Sequence, residues 1–384
     1  MTRVLLITRN LPPLVGGMER LNWHLAEELA KLAELRIVGP AGSAELAPTG
    51  IVVREAPLRP LWRFLLRART LARREAKAWK PDLILGGSGL VAPIVRHAAR
   101  ACGAQTAVYV HGLDVAVQHP LYRILWLPAI RRMHRVIANS QATADVCRQI
   151  GVAPGRIGIV HPGVDLPRQI AGSDFRQRHK LGDGPLLLAV GRLSDRKGLR
   201  EFVVESLPRI VAAQPESMLL IVGAAPNHAL HAKAQTPGSI QAAAEAAGVG
   251  AHLKFLGVIT DYTALGEIYQ ATNVHVFPVR SIPGDPEGFG MVAVEAAAHG
   301  LPTVAFATGG IVDAVAEGRS GYLVPPGDYA AFADVVLRTL TAPATLRADC
   351  IRFAAGFVWP VFGAKIAAQL PGIAVATPAQ GIAT

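Results

Sequence analysis

Three stretches and one histidine combine residue types and spacings that could do chemistry. Gly191-Arg192-Leu193-Ser194-Asp195-Arg196-Lys197-Gly198 sets Arg192 and Lys197 in a glycine-bounded loop that leaves the apolar run Leu186–Val190 and enters a helical pattern. Two cations beside helix-terminal amides suit a diphosphate, because charge-assisted hydrogen bonds are strong and a helix N-terminus is electropositive. The second stretch, Asp285-Pro286-Glu287-Gly288-Phe289-Gly290-Met291-Val292-Ala293-Val294-Glu295-Ala296, carries Glu287 and Glu295 with seven residues between them. Glu295 lies in an otherwise apolar run, so its carboxylate needs hydrogen-bond partners. Hydroxyls of a sugar and a ribose would satisfy both glutamates, and so would a buried structural network. A pair of glycosidase carboxylates is a rival reading that rests on a separation in space.

The third stretch is Pro12-Pro13-Leu14-Val15-Gly16-Gly17-Met18-Glu19, directly after the first strand. Gly16 and Gly17 would let backbone amides approach an anion at a helix start. The spacing is not a G-x-G-x-x-G fingerprint, which argues against a nicotinamide enzyme. His111 closes the strand-like run Thr106–Val110, with Asp114 three residues on. A lone histidine often only packs or caps; the strand-end position beside Asp114 favours a functional role. No D-x-D metal motif occurs, and Asp285 stands alone, so no metal site is expected.

Elements to position these residues follow from hydrophobic patterning. Arg3–Thr8, Leu35–Val38, Ile51–Arg54, Leu83–Leu85, Thr106–Val110, Val136–Ala138 and Ile157–Val160 read as strands. They are rich in Val, Ile and Leu without alternation, as a parallel sheet buried on both faces requires. Helical patterns at Gly17–Lys31, Leu61–Trp79, Leu90–Ala101 and Ala142–Gln149 separate them, the last capped by Ser140. After a polar break at 162–184, a second series begins, with strands expected at Leu186–Val190, Met218–Val222, Leu253–Phe255, Val274–Phe277, Thr303–Ala305 and Tyr322–Val324. Helices are expected near 198–213, 239–247, 262–271, 290–298, 311–316 and 328–340. Two βαβ series predict an α/β protein of two doubly wound domains facing an interdomain cleft, with ligands outside the carboxyl ends of the strands. The expected domains are 1–165 and 185–358, followed by a helix at 359–370 and a tail at 371–384.

Composition narrows the class. The chain has 384 residues, 51% of them apolar and 17% charged, enough to build a core and too apolar for a disordered protein. Its longest apolar runs fall far short of the roughly 20 residues a membrane-spanning helix needs. The start, Val4–Ile7 before Thr8 and Arg9, is too short for a signal-peptide core, and Cys102, Cys147 and Cys350 form neither a disulfide framework nor a metal knuckle. A soluble protein of a reducing compartment is expected.

Charge is lopsided. Residues 1–180 hold 26 Lys and Arg against 12 Asp and Glu, whereas residues 181–384 hold 13 against 16, so the net charge of +11 divides as +14 and −3. The densest stretch, Arg54–Lys80, interleaves Arg63, Arg67, Arg69, Arg73 and Arg74 with Trp62, Leu65 and Leu66. A helix there is expected to gather Trp62, Leu65 and Leu66 on one side and turn arginines outward. That pattern suits an anionic membrane surface; an apolar stripe packed on the sheet beneath solvated arginines is the plainer alternative. Nucleic acid is disfavoured, since no groove-reading or RNA-binding signature accompanies the charge.

Taken together, Gly16-Gly17, His111-Gly112-Leu113-Asp114, Asn139-Ser140, Pro162-Gly163-Val164-Asp165, Gly191-Arg192 with Lys197-Gly198, the Glu287/Glu295 pair and Thr308-Gly309-Gly310 resemble the GT4 family of retaining glycosyltransferases with the GT-B fold. The likeness is greatest to phosphatidylinositol-mannosyltransferase-like and lipopolysaccharide-core-type members, and it spans nearly the whole chain. It implies an N-terminal acceptor-binding domain, a C-terminal donor-binding domain and a last helix that crosses back to the first.

For the site, the resemblance implies that Arg192 and Lys197 neutralise the donor diphosphate. Glu287 would hold hydroxyls of the transferred sugar, and Glu295 the nucleotide ribose. Gly191 and the segment Gly288, Phe289, Gly290, Met291 and Val292 would line the donor, the latter through backbone amides. Gly16 and Gly17 would approach the diphosphate from the first domain, and His111 the sugar's primary hydroxyl. The implied activity is metal-independent transfer of a hexose from a nucleotide diphosphate sugar, GDP-mannose being favoured, with no separate cofactor. The implied acceptor is lipid-linked or a cell-envelope glycan, at the inner face of the cytoplasmic membrane. A sugar-nucleotide epimerase, a glycosidase or a non-catalytic nucleotide-sugar-binding protein are the competing readings.

Overall fold

A computed structural model describes residues 1–167, 174–225 and 235–373. The chain divides into two compact units: Met1–Gly163 together with the segment from Trp359 onward, and Val164–Val358.

The first unit is built on seven strands: β1 (Arg3–Ile7), β2 (Glu34–Pro40), β3 (Val52–Ala56), β4 (Leu83–Gly86), β5 (Gln105–Val110), β6 (Arg135–Ala138) and β7 (Ile157–Ile159). They form one parallel sheet in the order β3-β2-β1-β4-β5-β6-β7. Val4, Leu5, Leu6 and Ile7 are all fully buried, because helices cover both faces of the central strands; this is why the strands read as unbroken apolar runs. Helices Leu61–Trp79, Ala92–Ala99, Leu127–Arg131 and Gln141–Gln149 share one core with the sheet, through Phe64, Val95, Ile130 and Cys147 among others.

The closing helix Trp359–Gln369 belongs to the first unit and packs on helix Gly17–Ala30. Trp359 stacks on His24 with centroids 4.0 Å apart. Phe362 meets the edge of Tyr109. Gly363 sits so close to Glu28 that a Cβ there would lie 2.7 Å from Glu28 Cβ. Residues 371–373 continue along this unit, with Ile373 buried; the rest of the expected tail, 374–384, lies outside the described residues.

The second unit carries β8 (Leu186–Val190), β9 (Met218–Val222), β10 (Leu253–Gly257), β11 (Val274–Phe277), β12 (Thr303–Phe306) and β13 (Gly321–Val324). These are parallel in the order β10-β9-β8-β11-β12-β13. Both sheets therefore reverse direction once, between β1 and β4 in the first unit and between β8 and β11 in the second. At such a switch point the loops leaving adjacent strands part and open a crevice beyond the carboxyl ends.

The expected break at 162–184 is only partly a break. Helix Phe175–Arg178 belongs to the second unit, with Phe175 and Leu181 in its core. The Arg176 guanidinium donates to Asn273 Oδ1 at 2.9 Å and to the Gly184 carbonyl at 2.8 Å, so the polar stretch is pinned by its own charges.

Helix Leu61–Trp79 forms where expected, but with a different inward face. Phe64, Ala68, Leu71, Ala72, Glu75, Ala76 and Trp79 are buried, whereas Trp62 and Leu66 are 58% and 57% exposed. The sheet takes the longer Phe64-to-Trp79 stripe, and Trp62 and Leu66 fall on the outward side with the arginines. Two further departures are local. Helix 198–213 is two helices, Leu199–Glu205 and Leu207–Ala213, because Pro208 lacks the N–H that would continue the ladder. Helix Thr345–Ala354 was not expected; its side chains Leu346, Cys350 and Ala354 fill the core under helix Met291–Ala298.

Candidate functional site

In the second unit, the switch point between β8 and β11 gathers the loop Gly191–Gly198 and the loop that follows β11. Gly191 N donates to Val222 O at 2.9 Å and Leu193 N to Ala224 O at 2.9 Å, which ties the first loop to the exit of β9. A short turn, Asp195–Lys197, then ends at Gly198 with φ of 66°. A Cβ at Gly198 would stand 2.1 Å from the Pro278 carbonyl, so only glycine lets this loop lie against the end of β11.

That close approach puts Lys197 on Glu287. Lys197 Nζ donates to Glu287 Oε2 at 2.8 Å, and Arg196 Nη1 donates to the same oxygen. Arg196 Nε lies 3.2 Å from Asp285 Oδ1, so four charges alternate in sign along Asp285, Arg196, Glu287 and Lys197. The side chains of Arg196, Lys197 and Glu287 are only 12%, 17% and 13% exposed. Burial by itself raises the Glu287 pKa, but Lys197 and Arg196 outweigh it and bring the carboxyl down to about 2. Lys197 is lowered, first by burial of its ammonium; Glu287 opposes this, and Arg196 and Arg192 add to it.

Glu287 Oε1 has no partner among the described residues and is not sealed from solvent. Arg192 is exposed and has no ion pair among the described residues, though it is close enough to act on Lys197. The chain thus offers one restrained carboxylate oxygen, one half-committed ammonium and one uncommitted guanidinium. A small cavity between the ends of β8 and β11 is lined by Gly191, Arg192, Lys197 and Phe277.

Thr308-Gly309-Gly310 buttresses the carboxylate loop from below. Gly310 N donates to Glu287 O at 2.9 Å. A Cβ on Gly309, whose φ is 51°, would come within 2.5 Å of that same carbonyl oxygen, and one on Gly310 within 2.0 Å of Gly288 O. Beyond Gly288, Phe289 turns its ring into the core, beside Phe357. Gly290 caps helix Met291–Ala298, whose first-turn amides at Met291 and Val292 have no intrahelical acceptor. Glu295 lies on this helix beside Tyr269, whose hydroxyl donates to Glu295 Oε2 at 3.4 Å.

In the first unit, the switch point between β1 and β4 holds the other expected residues. Gly16 precedes helix Gly17–Ala30, and Glu19 in its first turn accepts from Asn10 Nδ2 at 2.8 Å. His111 leaves β5 and its Nε2 meets the Gly87 carbonyl at 2.8 Å. A carbonyl only accepts, which assigns the proton to Nε2 and leaves Nδ1 unpartnered among the described residues. Asp114 fixes the backbone around it, Oδ1 accepting from His111 N at 2.8 Å and Oδ2 from Gly89 N at 2.7 Å.

Sequence reasoning missed Arg196, Asp285 as its partner, and the turn Gly86-Gly87-Ser88-Gly89 that receives His111. Arg196 and Asp285 stand inside the motifs singled out, but nothing in either motif says that the two loops touch. The glycine-rich exit of β4 was a visible signal. Among the described residues no group of three His, Cys, Asp or Glu side chains is arranged to hold a metal ion, and no helix is long and apolar enough to cross a membrane.

Comparison with known proteins agrees with this architecture. A family model described as glycosyl transferases group 1 matches residues 172–356, and one described as Glycosyltransferase Family 4 matches residues 15–168. The chain is 34% identical over 243 residues to D-inositol 3-phosphate glycosyltransferase 2 of Catenulispora acidiphila, covering 61% of this chain and 55% of that protein. It is 30% identical over 270 residues to the D-inositol 3-phosphate glycosyltransferase of a Mycobacterium strain, covering 69% and 58%. The matches thus span little more than half the length of these curated relatives. Among solved structures, Anabaena HepE in complex with UDP-glucose superposes with a TM-score of 0.79 at 21% identity, over 97% of this chain and all of that one. The lipopolysaccharide outer core galactosyltransferase WaaB superposes with a TM-score of 0.69 at 16% identity, over 96% and 99%; at these identities the likeness is one of fold.

Proposed function

This chain belongs to the GT4 glycosyltransferases of GT-B fold, and we propose that it moves a hexose, with retention, from a nucleotide diphosphate sugar to an acceptor hydroxyl. The observation that carries the reading is the Lys197–Glu287 bond beside the uncommitted Arg192 at the switch point of the second unit. Arg192 and Lys197 meet the donor diphosphate. Glu287 Oε1 accepts from a hydroxyl of the transferred sugar, and Glu295 from a ribose hydroxyl. Backbone amides from Gly288 to Val292 line the sugar and phosphate. On the first unit, Gly16 and Gly17 present amides to the diphosphate, and His111 Nδ1 addresses the sugar's primary hydroxyl.

The chemistry follows from charge. As the bond from the anomeric carbon to the diphosphate oxygen breaks, positive character grows on carbon and negative charge on the leaving group. Cations already held in place stabilise that charge without reorganising. The acceptor oxygen bonds to the anomeric carbon on the face the diphosphate leaves, and its proton passes to the departing phosphate oxygen, releasing a nucleoside diphosphate. Arg192 and Lys197 supply the positive charge that a metal ion supplies elsewhere, so the reaction is assigned as metal-independent.

The favoured acceptor is lipid-linked or a cell-envelope glycan, met at the inner face of the cytoplasmic membrane. The outward cations of helix Leu61–Trp79, with Trp62 and Leu66 among them, support an anionic lipid surface as partner. The names of the curated relatives favour a second acceptor class, a phosphorylated polyol such as D-inositol 3-phosphate. For the donor, GDP-mannose stands beside UDP-glucose, the compound bound in the HepE structure.

The test is product analysis after incubation with a panel of nucleotide sugars, each with and without the two acceptor classes. Transfer only when an acceptor is present supports the reading. An altered sugar nucleotide from donor alone would make the protein an epimerase. Loss of a free sugar from a glycan would make it a glycosidase, and binding without turnover a carrier.

A further inference from the structure

A cationic groove of the first unit shares no lining residue with the groups assigned to donor chemistry. It runs between helices Leu61–Trp79 and Ala92–Ala99 and is lined by Arg69, Arg73, Arg74, Lys77 and His97, with Leu66 at one end. The reason its charge is unbalanced is local. The only carboxylate on helix Leu61–Trp79 is Glu75, which points inward and is consumed by Arg54 at 2.7 Å and Arg36 at 3.1 Å. Arg69, Arg73, Arg74 and Lys77 therefore have no ion pair among the described residues, and neither nitrogen of His97 has a hydrogen-bond partner there. Four exposed cations along one groove without a partner carboxylate make a positive surface that attracts anions.

We propose that this groove binds the phosphate of an anionic phospholipid headgroup, and that His97 takes up a proton as the phosphate docks. The proposal rests on the membrane-surface reading above and adds to it a headgroup site and a proton linkage. A lipid is favoured over a free phosphate because Trp62 and Leu66 stand 58% and 57% exposed on the same outward side. A soluble phosphate has no use for them, whereas they enter the headgroup boundary of a bilayer.

The linkage has a definite sign. His97 is faced by Arg69 and Arg73 from helix Leu61–Trp79 and by Arg100 beyond the end of its own helix, and no carboxylate of the described residues acts on it. Burial, then these cations, hold its pKa below the ordinary histidine value, so the empty groove disfavours the charged ring. A bound phosphate offsets the cations and offers an acceptor, so the pKa of His97 rises on binding. Binding then consumes a proton, and affinity increases as pH falls through the histidine range.

The experiment is co-sedimentation of the full chain with phosphatidylcholine vesicles, with and without phosphatidylglycerol. That headgroup is a phosphodiester whose charge is constant over the range used. The wild type is expected to bind the phosphatidylglycerol vesicles about threefold to tenfold more tightly near pH 5.5 than near pH 7.5. His97→Gln keeps a hydrogen-bonding side chain but cannot charge, and is expected to bind equally at both. If His97→Gln retains the wild-type pH ratio, the groove proposal fails while the membrane reading survives. If the wild type binds these vesicles at neither pH, both fail. Inorganic phosphate is the second arm: if it binds with the same His97-dependent pH ratio while vesicles do not, the groove serves a soluble phosphate and the proposal is overturned.

Discussion

Lys197 Nζ and Arg196 Nη1 both donate to one oxygen of Glu287, Oε2, and leave Oε1 without a partner among the described residues. The carboxylate is therefore aimed before any ligand arrives: two cations hold one of its oxygens and the other is left to accept. The same bond ties the Gly191–Gly198 loop to the loop after β11, so the proposed donor contact and local stability share one group.

Glu287→Gln should cost both turnover and stability. Transfer is expected to fall to background, and removal of the shared anion leaves Lys197 partly buried without an ion-pair partner and Arg196 with Asp285 alone, which destabilises. The Glu287 carboxyl is depressed in the folded protein to about 2 from an ordinary 4.5. Its contribution is thus fully present above pH 4.5 or so and is lost as pH falls towards 2; its size is on the order of 3 kcal/mol. Denaturant melts of wild type and Glu287→Gln should differ at neutral pH and converge near pH 2. A constant gap across that range would mean the carboxylate is not held by the two cations.

Arg192→Ala should separate function from folding. The side chain is exposed and unpaired among the described residues, so the melting temperature should stay within the scatter of repeat measurements. If Arg192 stabilises the leaving diphosphate, kcat/KM should drop by about 100-fold to 1,000-fold. Lys197→Ala should lower both activity and melting temperature, because Lys197 also holds Glu287. Unchanged kcat/KM in Arg192→Ala would remove that residue from the donor site.

Gly309→Ala places a methyl group 2.5 Å from the Glu287 carbonyl at a φ of 51°. The loop must shift, at a cost of about 1–3 kcal/mol in stability, and Glu287 must lose its aim. Differential scanning calorimetry together with donor kinetics checks this; wild-type values in both would show that the turn yields without moving the carboxylate.

Replacing Arg63, Arg67, Arg73 and Arg74 together with Glu reverses the outward charge of helix Leu61–Trp79 without touching its buried face. The variant should be released from anionic vesicles while retaining transfer to a soluble acceptor analogue, since each cation near such a surface contributes about 1 kcal/mol. Unchanged partitioning would dismiss the membrane surface as a partner.

The alternation of strands and helices was legible because it depends on local properties. Unbroken apolar runs such as Leu186–Val190 can be satisfied only between two helical layers, and the thirteen strands of the described residues overlap the expected ones, the largely exposed β3 included. Glycine positions and charged loops after strands were equally visible, which is why Arg192, Lys197 and Glu287 could be named in advance. What the chain order did not carry was the partner of each charge. Arg196 and Asp285 are 89 residues apart in sequence and meet only because β8 and β11 are neighbours across the switch point. Likewise the outward placing of Trp62 and Leu66 was decided by which stripe of an amphipathic helix the sheet accepted, and the bare charge of the groove by Glu75 turning inward to Arg36 and Arg54. Periodicity is a property of neighbouring residues, whereas charge pairing and the choice of buried face are settled by what packs opposite, and only the folded sheet supplies that.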